Sequence, residues 1–323
     1  MMFINKHIVV GVCGGLAAYK AAGLVSQLRQ RGADVHCIMT EHAAKLVTPI
    51  TFGELSGNDV TVDMFANINK WDVEHISLAQ LADVFVIAPA TADIIGKIAN
   101  GIADDMLSTT IMATTAKVIF VPSMNTNMYE NPIVQENIKK LRKLGYIFVE
   151  PESGHLACNA SGKGRFPSLE KIIFRIERIL SGRQLLKGKR VVISAGGTKE
   201  NIDPVRYIGN RSSGRMGYAI ARAAAIEAAD VVLVSCTEAL PAPEDVRMIY
   251  VRNARELDKA MKVERKNLDM LIANNVAMPG AGFNVTTNIA AILYKDGTLQ
   301  QYPKMSKEEL GKIIIEKIAE KCN

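Results

Sequence analysis

The chain has 323 residues, 48% of them hydrophobic and 22% charged, and a formal net charge of +6. This composition predicts a globular protein of two domains, and the basic balance suits a small phosphorylated ligand. Aromatic residues make up only 6% of the chain and no basic run stands out, which argues against a nucleic-acid partner. No apolar stretch approaches the length of a transmembrane helix, so no membrane span is expected.

The cysteines indicate a reducing compartment. There are five of them, widely spaced and without a C-x-x-C pair. An odd and dispersed set disfavours both a disulfide framework and a zinc site. We therefore expect a cytoplasmic protein, and we predict no metal ligands.

The first half of the chain alternates short apolar runs with helical patterns. The predicted helices include Leu16–Arg31 and Pro132–Leu144, and the predicted strands are Ile8–Val12, Val35–Met39, Val84–Ala88, Val118–Pro122 and Tyr146–Val149. Because these strands are apolar throughout, they are typical of a parallel sheet that is buried on both faces. The expected fold class is α/β, with a flavodoxin-like or Rossmann-like parallel sheet covered by helices on both faces.

The same pattern restarts after a polar, glycine-bearing link over residues 181–189. Helices are predicted at Met216–Ala228 and Ala254–Lys262, and strands at Arg190–Ala195, Asp230–Ser235 and Asp269–Ala273. The sequence Ser306-x-x-Glu309 is a capping-box signature and predicts a final helix up to Cys322. We expect a second Rossmann-like α/β domain, so that the domains are residues 1–182 and 183–323.

A glycine turn follows the first strand, in the sequence Gly11-Val-Cys-Gly14-Gly15. A helix start offers N–H groups to phosphate, and glycine lets a ligand approach the backbone. The same glycines could equally serve the geometry of the turn alone. The spacing is not G-x-G-x-x-G, and the second strand closes on Thr40 without an acidic residue. A dinucleotide site is therefore poorly supported, and a mononucleotide such as FMN fits better.

Four further segments carry side chains that a hydrophobic core does not require. They are a predicted helix with His75, two strand ends at Ala88–Thr91 and Pro122–Met128, and a glycine-rich flexible loop with a thiol at Gly154–Arg165. Open α/β sheets bind ligands beyond the carboxyl ends of their strands. Each segment also has a purely structural explanation, because a helical histidine is often structural, Asn125 can cap a turn and a loop cysteine can be inert.

Six segments, taken in order, resemble the flavin-dependent cysteine decarboxylases. The closest likeness is to the decarboxylase half of the bifunctional phosphopantothenoylcysteine decarboxylase/phosphopantothenate–cysteine ligase family, and it spans roughly residues 6–180. The segments are Gly11-x-x-Gly-Gly-x-Ala-Ala-Tyr-Lys20, His75-Ile-x-Leu78, Ala88-Pro-Ala-Thr-Ala92, Ile98-Ala-x-Gly-Ile-Ala-Asp-Asp-x-Leu107, Met124-Asn-x-x-Met128 and Leu156-Ala-Cys-x-x-x-Gly-x-Gly-Arg165.

The resemblance implies decarboxylation of 4'-phospho-N-pantothenoylcysteine to 4'-phosphopantetheine in coenzyme A biosynthesis. In this family FMN oxidises the CH2–SH group to a thioaldehyde, which accepts the electrons released with CO2, and reduced FMN then returns the hydride. The resemblance implies that His75 is a base or orienting group, that Asn125 binds the substrate carboxylate, and that Cys158 protonates the enethiolate. The implied FMN contacts are Gly14, Gly15, Thr40, Ala43, Ala88, Pro89, Ala90 and Thr91, and Arg165 is the implied contact of the substrate phosphate.

Three positions depart from the family pattern. Cys13 stands where Ser or Thr is more usual, which weakens an expected hydroxyl contact to the FMN phosphate. Asp93 replaces a common Asn and places a charge near the flavin ring. Asn159 replaces the glycine after the implied catalytic cysteine, although Asn tolerates positive φ better than most residues.

The second domain resembles the ligase half, in Ala195-Gly-Gly-Thr198 and in Ile208-Gly-Asn-Arg-Ser-Ser-Gly-Arg-Met-Gly217. In that family CTP and Mg²⁺ activate phosphopantothenate as an acyl-cytidylate, which cysteine then attacks. The structural alternative is a polar loop whose serines cap the helix at Met216. The resemblance implies a site made of Asn210, Arg211, Ser212, Ser213 and Gly214, with Asn210 associated with the second half-reaction.

The likeness to the ligase breaks after Lys262. The family continues there through a strand, a lysine-rich segment and a G-F-A-A-E-T segment, whereas this chain passes almost directly to Arg265–Asn274, which resembles a later segment. The absent block holds most of the nucleotide contacts and the key lysine, so CTP and Mg²⁺ are expected only if the ligase half is active. For the fold, we expect Asp269–Ala273 to take the sheet position of the missing strand.

Two other functions remain open. One is a flavin-dependent decarboxylase that acts on the C-terminal cysteine of a peptide, and the attached ligase-like domain argues against it. The other is a non-catalytic FMN-binding regulatory protein, which the joint presence of His75, Asn125 and Cys158 disfavours. By resemblance the chain forms a homo-oligomer, a trimer or higher, with active sites between subunits.

Overall fold

The structure is a computed structural model that describes residues 3–65, 73–155, 161–264, 270–274, 287–288, 290–294 and 298–322. The chain divides into two compact units, Met1–Leu180 and Ser181–Asn323. Within the described ranges, none of the helices combines the length and the apolar character that a bilayer crossing requires.

The first unit alternates strands with helices, as the sequence predicts. Its strands are β1 (His7–Val12), β2 (Asp34–Met39), β3 (Val60–Thr61), β4 (Val84–Ala90), β5 (Lys117–Pro122), β6 (Ile147–Phe148), β7 (Glu152–His155) and β8 (Ser161–Arg165). Its helices are α1 (Ala18–Gln30), α2 (Glu41–Ala44), α3 (Pro49–Ser56), α4 (Glu74–Leu81), α5 (Ala92–Ala99), α6 (Met106–Ala113), α7 (Thr126–Glu130), α8 (Pro132–Lys143) and α9 (Leu169–Ser181).

Six of these strands form one parallel sheet in the order β3-β2-β1-β4-β5-β6. Helices cover both of its faces, so the expected fold class is confirmed. The glycine-rich segment was predicted to be a flexible loop, but its described residues at either end belong to β7 and β8, and these two strands pair antiparallel. The sequence concealed this pairing because Ser-Gly-Lys-Gly-Arg has no strand propensity of its own, and contacts with neighbouring segments stabilise it instead.

The burial of β1 explains why the predicted strands are apolar throughout. Ile8, Val10 and Val12 pack in the core on the α1 face, whereas Val9 packs in the core on the α5 face. All four side chains are fully buried. Since successive side chains of a strand point to opposite faces, a sheet covered on both faces needs apolar residues at every position.

The ends of α8 follow from local sequence. Asn131 Oδ1 accepts from the Ile133 N–H at 2.9 Å, and Pro132 occupies the first helical position, where its missing N–H costs nothing. Three basic residues stand in the last turn, where the helix dipole favours positive charge. Gly145 follows with φ of +94°, a conformation that suits glycine.

The second unit has a smaller parallel sheet. Its strands are β9 (Arg190–Ala195), β10 (Lys199–Asn201), β11 (Tyr207–Gly209), β12 (Asp230–Ser235), β13 (Val246–Tyr250), β14 (Met270–Asn274), β15 (Thr287–Asn288), β16 (Ala290–Tyr294), β17 (Leu299–Gln301) and β18 (Met305–Ser306). Its helices are α10 (Arg215–Ile226), α11 (Ala254–Glu264) and α12 (Lys307–Cys322). Parallel strands in the order β13-β12-β9 form the sheet.

Two expectations for this unit have different outcomes. Ser306 Oγ accepts from the Glu309 N–H at 3.1 Å at the start of α12, so the predicted cap is confirmed. The prediction that Asp269–Ala273 replaces the missing strand is wrong, because β14 pairs antiparallel with β16 in a separate sheet with β17. A strand takes its partner from backbone pairing over its whole length, and β16 offers β14 five register positions, Met270 to Asn274.

Candidate active site

The glycine turn after β1 lies where the strand order of the first sheet reverses, between β1 and β4. The Cys13 N–H donates to the Pro89 carbonyl at 3.3 Å, and the Thr40 N–H donates to the Val12 carbonyl at 3.0 Å. These bonds tie together the carboxyl ends of β1, β2 and β4. Ligands of open α/β sheets bind at such a switch point, and the structure brings the predicted contacts Gly14, Gly15, Thr40 and Thr91 to it.

The glycine turn has the form of a phosphate cradle. A Cβ on Gly14 would run into the His42 side chain, and a Cβ on Gly15 would lie 3.5 Å from Pro89 Cγ and 3.6 Å from Thr91 Cγ2. Helix α1 starts directly afterwards, and no side chain caps its N-terminus. Because first-turn N–H groups need acceptors and carry positive partial charge, an anion can satisfy them. Gly14 is exposed, so an anion can reach the turn from solvent.

The other predicted FMN contacts lie at the same edge of the sheet. Ala43, Ala88 and Ala90 are fully buried, so their side chains pack inside the unit, and a direct contact with FMN stays a prediction. Thr40 Oγ1 accepts from the Ala43 N–H at 3.2 Å, and Thr91 Oγ1 accepts from the α5 backbone at 3.5 Å. Both threonines therefore act as helix caps.

Cys13 is a core residue. Its side chain is only 2% exposed and packs with Val9 and Ile94 on the α5 face. Burial raises the pKa of its thiol to about 12, so a neutral thiol stands at this position. A thiol gives a phosphate no hydroxyl, and the weaker phosphate contact expected at this position stays a prediction.

The charge of Asp93 has a partner inside the chain. Its carboxylate lies 3.9 Å from Lys97 Nζ, which also binds Asp104 at 2.8 Å and Asp105 at 2.7 Å. Although partial desolvation acts in the opposite direction, the hydrogen bonds with Asp104 and Asp105 raise the pKa of Lys97. Since Lys97 stays protonated, it offsets part of the negative charge that Asp93 brings to this edge.

Asn125 lies just beyond β5, at the same edge. The Ser123 N–H donates to the Ala90 carbonyl at 3.1 Å, which fixes the end of β5 to the end of β4. Asn125 Oδ1 accepts from the Asn127 N–H at 2.8 Å, so the residue does cap the following turn. The cap orients the side chain and engages its oxygen. An asparagine side chain also carries an amide N–H₂ group, which is the kind of donor that a carboxylate accepts.

The hairpin strand β8 packs directly against the Asn125 segment. The Met124 N–H donates to the Gly164 carbonyl at 3.1 Å. A Cβ on Gly162 would lie 2.6 Å from Thr126 Oγ1, and a Cβ on Gly164, whose φ is +146°, would run into the Met124 carbonyl oxygen. Two glycines therefore let backbone meet backbone here, and the start and end of the segment with Cys158 lie beside Asn125.

A charged network holds the hairpin in place. Glu150 accepts from Tyr129 Oη at 2.9 Å and from Lys163 Nζ at 3.0 Å, and it also binds Arg142. Lys163 Nζ lies 5.3 Å from the centre of the Tyr129 ring. Although desolvation opposes the shift, hydrogen bonds from Lys163, Arg142 and Tyr129 lower the pKa of Glu150. This network joins β8 to α7 and α8, and sequence reasoning missed it because its members are up to 34 positions apart.

Replacing Glu150 by glutamine is expected to lower the free energy of unfolding by about 1 kcal/mol at pH 7. The ion pair between Glu150 and Lys163 is partly exposed, so screening by solvent limits the loss of stability. Because the folded pKa lies below the ordinary 4.5, the stabilisation is full above that value and is lost as the pH falls through the folded pKa. Urea unfolding at pH 7 and pH 3 measures this difference in the free energy of unfolding. Glu136→Gln, on the exposed side of α8, is the control. Equal losses for both variants at pH 7 would contradict the role of the network.

The remaining predicted site residues have fewer described contacts with the glycine turn and the Asn125 segment. His75 is half-buried in the first turn of α4, beside Glu74, which accepts from Thr61 Oγ1 at 2.6 Å. Its ring makes no hydrogen bond to another described residue. Arg165 is exposed at the end of β8. Cys158 and Asn159 lie outside the described residues.

In the second unit, the predicted ligase-like residues lie at the carboxyl end of β9. A Cβ on Gly197 would run into Asn210 Oδ1, and one on Gly214 would lie 3.2 Å from the Gly196 nitrogen. The Ser212 N–H donates to Asn210 Oδ1 at 3.1 Å. Helix α10 begins after Gly214, and no side chain caps it. The alternative that serines cap this helix is therefore wrong, and its N-terminus is open to an anion.

Two family models match the chain, one over each unit. A family model described as flavoprotein matches residues 2–181. A model described as the C-terminal domain of DNA/pantothenate metabolism flavoproteins matches residues 186–264 and 258–322. The second model therefore matches in two pieces that meet near Lys262, where the sequence resemblance breaks.

Curated relatives extend over almost the whole chain. The coenzyme A biosynthesis bifunctional protein CoaBC of Bacillus subtilis is 37% identical over 396 residues, which cover 98% of each chain. Its Vibrio cholerae counterpart is 34% identical, again over 98% of each chain. Since the first alignment has 396 positions and this chain 323 residues, at least 73 positions of the relative have no counterpart here.

One of the solved structures similar to this chain matches it over about half of its length. It is a cysteine-to-serine variant of a PPC decarboxylase complexed with pantothenoylaminoethenethiol. The match has a TM-score of 0.50 and 28% sequence identity, and it covers 55% of this chain and 98% of that one. The likeness supports the same α/β architecture for the sheet and the turn at its edge.

Proposed function

The chain belongs to the family of bifunctional coenzyme A biosynthesis flavoproteins, and from that premise we propose that it decarboxylates 4'-phospho-N-pantothenoylcysteine with FMN as cofactor. The product is 4'-phosphopantetheine. In this proposal residues 1–182 form the decarboxylase domain, and residues 183–323 form a ligase-like domain that lacks a central block after Lys262.

One observation carries the proposal: the two glycines of β8 lie against the segment of Asn125. The carbonyl oxygen of Ser123 lies 3.8 Å from where a Cβ of Gly15 would be, and Met124 is bonded to Gly164. The glycine turn, the Asn125 segment and the ends of the segment that carries Cys158 thus form one continuous edge. A flavin on the turn would lie beside the segment of Asn125.

The glycine turn fits the phosphate of FMN, since the α1 N-terminus has no side-chain cap and Gly14 is exposed to solvent. When bound, FMN supplies a two-electron oxidation of the CH2–SH carbon and its later reversal, so that the reaction has no net redox change. The backbone at Thr40, Ala43 and Ala88–Thr91 would enclose the flavin.

The side chains of the chain perform the remaining steps. Asn125 donates an amide hydrogen to the substrate carboxylate and so aligns the bond that breaks. Cys158 donates its thiol proton to the enethiolate carbon after CO2 has left. His75 orients the substrate thiol or removes its proton. Arg165 pairs with the substrate phosphate. Excluding water around the enethiolate falls to the segment that carries Cys158.

For the second unit we propose that the phosphate-binding end is retained but ligation is lost. The open α10 N-terminus beside Asn210 suits an anion such as phosphopantothenate. Ligation also requires CTP and Mg²⁺, and cationic groups must stabilise the triphosphate as charge develops. The block that carries those lysines in the family is missing between the two matched pieces.

Assembly and location complete the proposal. We propose a homo-oligomer, a trimer or higher, because apolar side chains such as Leu16, Tyr19 and Ile50 are more than 60% exposed on the first unit. Sedimentation at micromolar concentration tests it, and a monomer would contradict it. A cytoplasmic location fits the buried thiols Cys13, Cys37 and Cys236, which form no disulfide.

Separate assays of the two half-reactions test this function. The purified chain is expected to be yellow, to release CO2 from phosphopantothenoylcysteine, and to release no CMP from CTP with phosphopantothenate and cysteine. A colourless protein that stays colourless with added FMN contradicts the flavin site. Flavin binding without CO2 release favours a regulatory protein, and CO2 release from a peptide with a C-terminal cysteine, but not from the small substrate, favours the peptidyl decarboxylase.

A further inference from the structure

Two histidines and an aspartate cluster at the start of β1 and β2, at the opposite ends of these strands from the glycine turn. His7 Nδ1 lies 3.1 Å from Asp34 Oδ2, and His36 Nε2 lies 3.3 Å from the same oxygen. One ligand atom of each residue lies within 4.8 Å of the other two. The proposed decarboxylation uses none of these three residues.

The pairing of β1 with β2 creates this cluster. His7 is the register partner of Asp34 in the parallel ladder. His36 lies two residues beyond Asp34, so both point to the same face of the sheet. Ligands on paired strands are held more firmly than ligands on loops. The pairing of β1 with β2 therefore fixes the relative positions of His7, Asp34 and His36.

The separations match those between the ligands of one metal ion. With bonds of about 2.0–2.1 Å, two ligand atoms on a tetrahedral ion are roughly 3.3 Å apart. Both His–Asp distances are close to that length, and the two ring nitrogens lie within 4.8 Å of each other. Asn58 Nδ2 donates to the other oxygen of Asp34 at 2.8 Å and to the Val35 carbonyl at 2.9 Å. Such partners orient a metal-binding carboxylate.

We propose that His7, Asp34 and His36 bind a divalent transition-metal ion of the zinc class, with water in the remaining position. Two imidazoles and one carboxylate favour such ions over Mg²⁺ or Ca²⁺, which prefer oxygen ligands throughout. The three side chains are 19% to 47% exposed, so an ion can enter from solvent. The sequence predicted no metal because its cysteines are dispersed, but these ligands are imidazoles and a carboxylate from separate strands.

The ion would stabilise the first unit. It would bridge β1 and β2, whose far ends hold the glycine turn. Because unfolding separates the three ligands, the ion binds the folded chain preferentially, and the melting temperature rises with its concentration. The site is distant along both strands from the turn, so its effect is on stability and not on the chemical steps.

Titration of the full-length protein, made without a histidine tag and stripped with a chelator, tests the proposal. Co²⁺ serves as the spectroscopic probe, and Zn²⁺ then displaces it. We expect one equivalent with visible bands of a four-coordinate ion and no thiolate charge-transfer band. The changes His36→Gln and Asp34→Asn are expected to weaken binding by about 100-fold. Asn58→Ala removes the bonds to Asp34 and to the Val35 carbonyl but leaves all three ligands in place, and it is expected to weaken binding by about 10-fold.

Two matched controls isolate the cluster. His42→Gln removes an exposed histidine outside it, and Asp230→Asn removes an aspartate that also begins a strand, β12. Both are expected to bind Co²⁺ like the unchanged chain. Absence of binding, a thiolate band, or equal affinity in His36→Gln overturns the proposal. If His36→Gln fails to fold, the graded loss in Asn58→Ala decides, and an unchanged affinity there overturns it.

Discussion

Replacing Cys158 by serine is expected to leave flavin binding and CO2 release intact while lowering 4'-phosphopantetheine formation by about 10²–10⁴-fold. The reason is the acidity of the donor, because a serine hydroxyl gives up its proton far less readily than a thiol, and a positioned general acid contributes a factor of that size. A single-turnover experiment that follows CO2 and product separately measures the effect. The enethiol product of decarboxylation is expected to accumulate on the enzyme.

The change Cys322→Ser at the end of α12 is the matched control and is expected to turn over at the original rate. It makes the same chemical substitution in the second unit. Normal product formation by Cys158→Ser would show that another group donates the proton. Loss of CO2 release in that variant would instead assign Cys158 to an earlier step, which also contradicts the proposed role.

Replacing Gly164 by alanine is expected to lower product formation by about 100-fold with the flavin still bound. The φ of +146° disfavours any side chain, and the new Cβ would run into the Met124 carbonyl oxygen. Strand β8, which directly follows the segment with Cys158 in the sequence, must then move away from the Asn125 segment. Misplacing a catalytic group by about 1 Å can cost that much in rate. Steady-state kinetics and the flavin content of the purified variant measure both parts.

Gly145→Ala separates backbone strain from the collision. Gly145 also has a positive φ, +94°, but a Cβ there would meet no atom within 4 Å. It is expected to lose about 1 kcal/mol of stability and to keep its activity. If both variants lose the same activity, or if Gly164→Ala is fully active, contact between β8 and the Asn125 segment has no part in catalysis.

Much of the first unit followed from local pattern. The apolar runs located β1, β2, β4 and β5, and the helical pattern over residues 132–144 located α8. The glycine turn was recognisable because strand, glycines and helix are adjacent in sequence. Its position at the switch point could not be predicted, since the strand order depends on pairing between residues far apart.

The wrong predictions concern segments whose pairing partners lie far away in the sequence. The glycine-rich segment was expected to be a loop because glycine and lysine disfavour strands, yet its pairing with β7 and contact with Met124–Thr126 hold it extended. The strand near Asp269 was expected in the β9 sheet because helix and strand follow in the family order. It pairs with β16 instead, and no local signal distinguishes those two partners.

The sequence by itself determined which residues are apolar, where glycine permits close approach, and which polar side chains are present at the strand ends. These are properties of single residues and their near neighbours, and periodicity records them. Only the tertiary structure decided which of them meet: Glu150 with Lys163, Gly164 with Met124, and His7 with Asp34. Such contacts depend on strand register and helix packing, which are set by the free energy of the whole fold.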